Sequence, residues 1–227
     1  MQAVFLLAGR GTRMRPLTDT LPKPLATVAG KTLVEHNLEK LPSEVTELIF
    51  VVGYLGEMIH AQFGAQYRTL PITYVTQDEL LGTAHALSLC EPLIRGRFLV
   101  LMGDDLHGAG DIARTLTHEW AWLVHRISGS FSGGLIHADT SGKVTAVTEG
   151  TYKEVSGFMN TNLFVLGREY FSYPMVPIKD GAEFGLPQTV ALVAQEIPIV
   201  VVEAQEWQQV TDLEDIARLE AQFYKGQ

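Results

Sequence analysis

Leu6-Leu7-Ala8-Gly9-Arg10-Gly11-Thr12-Arg13-Met14-Arg15-Pro16-Leu17-Thr18, followed by Pro22-Lys23-Pro24-Leu25, decides how the rest of this chain is read. The residues ahead of it, Ala3–Leu7, are continuously apolar, as in a strand buried on both faces of a parallel sheet. A turn that leaves such a strand lies at the C-terminal edge of the sheet, where open α/β sheets bind ligands. Gly9 and Gly11 let the main chain turn tightly and approach phosphate oxygens. Arg13 offers a planar fork that suits phosphate oxygens. Lys23, held between two prolines, sits on a stiff segment that fixes where its ammonium points. The competing reading is an ordinary basic turn containing glycine. A lone Gly-x-Gly would not exclude that, but the full string in this context does.

Two other phosphate motifs fail. Ala29-Gly30-Lys31-Thr32 mimics the end of a P-loop, but the first glycine's position holds Leu25. A dinucleotide Gly-x-Gly-x-x-Gly is broken by Met14.

The wider composition has an ordinary globular balance. With 227 residues the chain can bury a sizeable core, and one α/β domain over 1–227 is the simplest count. A formal net charge of −9 argues against binding duplex nucleic acid, which needs a basic surface. It leaves room for phosphate substrates met by local cations, N–H groups and a metal ion. No apolar run reaches the roughly 18 residues a membrane helix needs. The apolar start has no basic segment before it, so it reads as a strand and not as a signal peptide. Cys90 is the single cysteine and reads as a small buried helix residue, which is compatible with a reducing, cytoplasmic setting.

Outward from the first strand, strand and helix patterns alternate. Helical spacing is predicted over Thr32–Leu41, Leu55–Phe63 and Thr83–Leu89, and strands over Leu48–Val52, Ile72–Thr76 and Phe98–Met102. That alternation means βαβ units and a Rossmann-like, mainly parallel sheet flanked by helices. An amphipathic helix is predicted over Asp111–Val124 with Asp111 as its N-cap. Phe131–His137, Lys143–Thr148 and Gly157–Leu166 read as an antiparallel addition. A helix over Gly185–Gln195, a strand over Ile197–Val202 and a helix over Asp212–Phe223 complete the chain. The nucleotide-binding part is expected over about 1–110, and the acceptor-binding part over about 125–227.

The string Leu7–Thr18 with Pro22–Leu25 resembles the signature of the sugar-phosphate nucleotidyltransferases, and the likeness continues over nearly the whole chain. That family includes glucose-1-phosphate thymidylyltransferases, mannose-1-phosphate guanylyltransferases and the uridylyltransferase half of a bifunctional N-acetylglucosamine-1-phosphate enzyme. The resemblance implies that a nucleoside triphosphate and a sugar 1-phosphate are joined with release of pyrophosphate. It makes Leu7, Ala8, Gly9, Gly11 and Thr12 nucleotide-binding residues. Arg13 would steady the leaving pyrophosphate and Lys23 would contact the transferring phosphate.

Gln77 followed by Leu81-Gly82-Thr83-Ala84-His85-Ala86 resembles the string with which the N-acetylglucosamine-1-phosphate uridylyltransferases hold uracil. A glutamine amide carries both a donor and an acceptor and can pair with a pyrimidine edge. Gln77, Gly82 and Thr83 are therefore the candidate base contacts, with UTP favoured and dTTP next. His85 is expected on the helix surface. Asp104 and Asp105 end a buried strand, and carboxylates there suit Mg²⁺, which takes one or two of them plus phosphates. The glycine before it selects Asp104 as the ligand, and Asp105 is either a neighbour of the metal shell or a turn residue.

The pattern departs from the family near the C-terminus. Where relatives carry an aspartate after Trp207, this chain has Gln209; a second frame gives Thr211, and the nearest carboxylate is Asp212. Asp212 is the candidate second ligand, but Thr211 with Glu214, or Asp212 with Asp215, also reads as a helix cap. For the acceptor, Glu149 and Asn160 match elements that contact sugar hydroxyls. The lysine expected after Glu149 is replaced by Gly150, with Lys153 as its substitute from the loop, and Asn162 replaces a glycine. Two alternatives stay open: a cytidylyltransferase acting on phosphocholine or a similar acceptor, and a catalytically silent protein that binds a nucleotide sugar and regulates a partner. Oligomeric state is not readable from these residues.

Overall fold

Val4, Phe5, Ile49, Phe50, Val51, Val100 and Leu101 have no solvent exposure, and the strands that carry them form the middle of one eight-stranded sheet. The computed structural model describes residues 1–225. In chain order the elements are β1 (Gln2–Leu6), β2 (Thr27–Val28), β3 (Lys31–Thr32), α1 (Leu33–Leu38), β4 (Glu47–Val52) and α2 (Gly56–Phe63). They continue with β5 (Gln66–Tyr67), β6 (Leu70–Thr76), α3 (Thr83–Ser88), β7 (Phe98–Met102) and α4 (Ala109–Thr115). The last are β8 (Ala121–Ala138), β9 (Val144–Leu166), β10 (Pro177–Ile178), β11 (Glu183–Phe184), α5 (Leu186–Val193), β12 (Val200–Glu203) and α6 (Leu213–Lys225).

The sheet order is β12-β8-β9-β7-β1-β4-β6-β5. Parallel pairing joins β7 to β1, β1 to β4, β4 to β6 and β12 to β8, while β9 runs antiparallel to both neighbours. Apolar helix faces cover both sides. Val34 and Leu38 of α1, Ile59 and Phe63 of α2 and Ile112 of α4 pack on one. Ala86 and Leu87 of α3 and Leu186, Val190 and Val193 of α5 pack on the other. Each such side chain contributes roughly 1.5–3 kcal/mol by leaving water. A third cluster, Met14, Val28, Leu33, Leu106, Val210 and Leu219, joins the segment after β1 to α6. Thr32 and Glu35 form the capping box that starts α1.

The structure corrects the expected helix over Asp111–Val124. α4 ends at Thr115, and Ala121-Trp122-Leu123-Val124 opens β8 instead. All four of those residues are fully buried, so the run needs two covered faces, which a central strand provides and a surface helix does not. Asp111 is not the cap either. Gly108 holds that place, and the buried Asp111 carboxylate pairs with Arg114 and accepts the N–H groups of Gln205 and Glu206.

The three short strand-like runs are segments of two long strands. β8 and β9 pair from Ala121↔Val165 to Gly129↔Val155, break register, and pair again from Phe131↔Tyr152 to Ala138↔Val144. Leu135 and Ile136 also pair with Met159 and Phe158, so the outer half of the ribbon folds back over the inner half. The return turn reaches β12, where Lys143 bridges to Val200. Among the described residues no helix is long and apolar enough to cross a membrane.

Candidate active site

A cleft of about 710 Å³ opens at the C-terminal ends of β1 and β7. Leu6 to Arg13, Lys23, Gln77, Gly82, Thr83, Met102, Gly103 and Asp104 line it. The main chain after β1 stays pinned as far as Ala8, through Leu7 N–H to Val51 (2.8 Å) and Tyr54 N–H to the Ala8 carbonyl (3.2 Å). It then turns out through Gly11, whose φ of +60° favours glycine. A side chain there would also meet Lys23 Cβ at 2.8 Å. Gly9 has ordinary φ and open space around it, so its smallness leaves the cleft wall clear for a ligand. Thr12–Met14 make one 3-10 turn, which leaves the Arg13 side chain exposed beside the cleft with no carboxylate partner among the described residues.

Lys23 is buried to 7% exposure, and its Nζ lies 2.8 Å from Asp104 Oδ2. The other oxygen, Asp104 Oδ1, is buried and accepts no hydrogen bond. Asp105 points away from the cleft. Its carboxyl is buried, with Oδ1 3.4 Å from the Val210 N–H, and its carbonyl accepts from Asn37 Nδ2 at 2.6 Å. Burial, then the neighbouring Asp104 charge, pushes the Asp105 carboxyl up to about 8. A neutral Asp105 leaves Asp104 as the carboxylate that faces the cleft.

Beneath this strand end His107 is enclosed. Nδ1 lies 3.3 Å from Asn37 Oδ1 and Nε2 2.9 Å from the Thr161 carbonyl. Burial drives its imidazole down to about 4, so it is neutral at pH 7.

At the other end of the cleft Gln77 is buried, and its amide nitrogen donates to the Gly82 carbonyl at 3.1 Å. The same nitrogen lies 3.0 Å from His85 Nδ1. His85 is therefore not the simple surface residue of α3 that its helical position suggested; it is half-buried against Gln77. Gly82 has φ +94°, and a Cβ there would strike the Phe184 main chain at 2.5 Å. The Thr83 hydroxyl accepts the Leu186 N–H, and Phe184 N–H donates to Leu81. The hairpin of β10 and β11 is thus stitched over the start of α3.

This hairpin adds two residues with no sequence signal tying them to the site. Lys179 and Glu183 line the cleft and pair at 2.7 Å. Lys179, Asp180 and Gly181 all adopt positive φ, which turns the hairpin tightly enough to reach the cleft.

Glu149 and Asn160 are brought together across Gly134, where a Cβ would meet Glu149 Oε1 at 2.9 Å and Asn160 Cβ at 3.3 Å. Gln188 donates to Glu149 at 3.3 Å, and Asn160 is fixed by Trp122 Nε1 and by Asn162. Asn162, at φ +59°, adopts the backbone a glycine would favour. Lys153 is elsewhere. It lines a separate hollow at the bend of the ribbon with Phe131, Tyr152 and Glu154. Lys153 thus sits at the bend of the ribbon, Glu149 is exposed nearer its base, and neither side chain lines the cleft.

At the C-terminal end Thr211 lines the cleft. Asp212 caps α6 instead: Oδ1 accepts from Glu214 and Asp215 N–H at 3.0 and 3.1 Å. Asp215 in turn accepts from Thr211 N–H, so the shifted cap is the one formed. Gln209 is half-buried. Among the described residues no group of three or more His, Cys, Asp or Glu side chains is poised to hold a metal ion. Cys90 is buried as expected, and burial pushes its thiol up to about 12.

A glycine-containing turn after β1 and a lysine–aspartate pair thus share one cleft at the C-terminal edge of the sheet. Residues 2–225 match the nucleotidyl transferase family, and the chain belongs to it. It is similar to the bifunctional protein GlmU of Methanococcus maripaludis, 34% identical over 173 residues that make up 75% of this chain and 41% of the relative. It is also similar to the UTP–glucose-1-phosphate uridylyltransferase AglF of Haloferax volcanii, 35% identical over 172 residues, 72% of this chain and 71% of that protein. The chain thus spans about two-fifths of the GlmU relative's length. A Bacillus anthracis protein named as a glucose-1-phosphate thymidylyltransferase, solved with sucrose, superposes with a TM-score of 0.85 at 20% identity. That superposition covers 98% of this chain and 94% of the other, and it shows the shared fold.

Proposed function

We propose that this protein condenses a nucleoside triphosphate, UTP before dTTP, with a sugar 1-phosphate to give a nucleotide sugar and pyrophosphate. The observation that carries this reading is the Gly9–Arg13 turn standing over the Lys23–Asp104 pair in one cleft.

In this reading the acceptor's phosphate oxygen attacks the α-phosphorus in line. The new P–O bond forms as the bond to the β-phosphate oxygen breaks, and pyrophosphate departs. A phosphate monoester is largely dianionic at pH 7, so no side chain need remove a proton. The chain's work is alignment and neutralisation of charge. Main-chain N–H groups and Arg13 hold the β- and γ-phosphates, Lys23 meets the transferring phosphate, and Gln77 and Gly82 hold the base. Glu149 and Asn160 take the sugar hydroxyls. Lys179, a cation in the cleft wall, takes the acceptor phosphate in preference to Lys153, which lines a separate hollow.

Mg²⁺ fits this site through Asp104, whose unpartnered buried oxygen is a free ligand atom, with substrate phosphates completing the shell. When bound, Mg²⁺ supplies charge neutralisation between the phosphates. Thr211 lines the cleft and could add a ligand oxygen, whereas Asp212 Oδ1 is committed to its helix.

The reading is tested by mixing each nucleoside triphosphate with Mg²⁺ and a panel of sugar 1-phosphates and phosphocholine, and measuring pyrophosphate. Release with UTP and a sugar 1-phosphate is expected. Release only with CTP and phosphocholine overturns the substrate assignment. A second reading, a silent nucleotide-sugar binder, rests on Gln209 standing where a carboxylate is expected. It is favoured if a UDP-sugar binds and no mixture yields pyrophosphate.

A further inference from the structure

The Gln77 amide offers the cleft only one of its two faces, and the reason lies behind it. The Gly82 carbonyl can only accept a hydrogen bond, so the atom 3.1 Å from it must be the amide nitrogen. That nitrogen's second hydrogen faces His85 Nδ1 at 3.0 Å. His85 Nδ1 must then be the bare, accepting nitrogen, with the imidazole proton on Nε2. Both amide hydrogens are spent inside the protein, and Oε1 is the polar atom left for a ligand. Beside it, the Gly82 N–H donates to no acceptor among the described residues. The base end of the cleft therefore presents an acceptor next to a donor. Uracil and thymine present the matching edge, a ring N–H next to a carbonyl. Cytosine keeps the carbonyl for the Gly82 N–H but has a bare ring nitrogen where uracil has its N–H, so Oε1 would face an acceptor unless the amide turned over.

We propose that His85 is a specificity-determining positioning residue. By accepting from Gln77 it holds the amide in the orientation that takes a uracil or thymine edge and rejects cytosine. The side chain reads the base without touching it. Turning the amide over would set Oε1 against the Gly82 carbonyl, acceptor to acceptor, and would force the His85 proton from Nε2 to Nδ1. Rejection of this kind comes from buried polar groups left unpaired, and it discriminates more strongly than lost packing does. The proposal rests on the reading of the cleft as a nucleotide site.

The experiment compares kcat/KM for UTP and for CTP, with one sugar 1-phosphate, in the wild-type protein and in His85→Leu, His85→Ala and His85→Asn. Asparagine sets Oδ1 where the imidazole Nδ1 stands and so restores an acceptor. The UTP-over-CTP ratio is expected to fall about tenfold in H85L and H85A, through a higher KM for UTP and a lower one for CTP. In H85N it is expected to stay within about twofold of wild type. A role in helix packing alone would change both nucleotides together and leave the ratio where it was, and that result overturns the proposal. A wild-type protein that does not distinguish UTP from CTP overturns the base-pocket reading itself, which is a separate outcome. The wild-type imidazole ¹⁵N shifts provide a check that needs no variant. A proton on Nε2 is expected, and a proton on Nδ1 at neutral pH overturns the proposal even where the apolar variants fail to fold.

Discussion

The turn after β1 and the β8–β9 ribbon are built by opposite means. At the triphosphate end the key groups lie within one stretch, Leu6 to Leu25, and one strand aims them. Gly11 must be glycine both for its φ and for the space taken by Lys23, so the turn and the cation specify each other. On the ribbon, where the acceptor is proposed to bind, Glu149, Asn160 and Gly134 come from strands with several register shifts, and Lys179 reaches the cleft on the hairpin over the start of α3. The turn depends on residues close together in sequence, whereas the ribbon's pairing depends on segments far apart.

The largest effects should come from the local end. Lys23→Ala removes a charge from the cleft floor and leaves Asp104 without its partner; Arg13→Ala removes an exposed guanidinium only. Each is expected to lower kcat by roughly 10²–10³. A circular dichroism melt should leave R13A at the wild-type midpoint and lower that of K23A. Unchanged turnover in R13A would take that residue out of the site.

The nonlocal end is probed by two lysines. Lys179→Ala is expected to raise the acceptor's KM about tenfold with little change for the nucleotide, while Lys153→Ala stays within about twofold for both. Steady-state kinetics with each substrate varied in turn decides between them, and the reverse ranking would mean that the ribbon's bend reaches the acceptor after all.

His107 couples the two ends, since it spans from Asn37, which holds the Asp105 carbonyl, to the Thr161 carbonyl beside Asn160. Its folded imidazole titrates near 4, below the unfolded value of about 6.5. The unfolded chain therefore binds the extra proton between those values. The stabilisation from a neutral His107 is complete above about 6.5 and is lost as pH falls toward 4, with a slope up to ~1.4 kcal/mol per pH unit. Urea midpoints across that window should show the slope in wild type and a shallower one in His107→Gln.

The smallest expected effect is at Asp212. Asp212→Ala should cost ~1 kcal/mol of stability as a lost cap, with kcat and the Mg²⁺ requirement unchanged. A large rise in the Mg²⁺ concentration needed for activity would return Asp212 to the metal.

What could be read without coordinates follows this same contrast. The alternation of apolar runs and helical spacing was enough for the parallel half of the sheet, because each βαβ unit is short and its pattern local. The expected helix over Asp111–Val124 failed where amphipathic spacing coincided with a run buried on both faces, a fact about neighbours and not about the segment. Lys153 is close to Glu149 in sequence, but where β9 carries it, to the hollow at the bend of the ribbon, depends on pairing with β8. His85 looked like a surface residue because helical position does not reveal what α3 packs against.

The sequence by itself determined the phosphate turn, the lysine between prolines, the strand-end aspartate and the class of fold. Those features depend on φ, on residue type and on spacing within a few residues. Contacts across the fold settle where Glu149 and Asn160 meet, which way the Gln77 amide points and that Asp212 caps α6. Each of those is settled by hydrogen bonds and packing between segments far apart in the chain, and burial makes an unpaired polar group costly enough to enforce the choice.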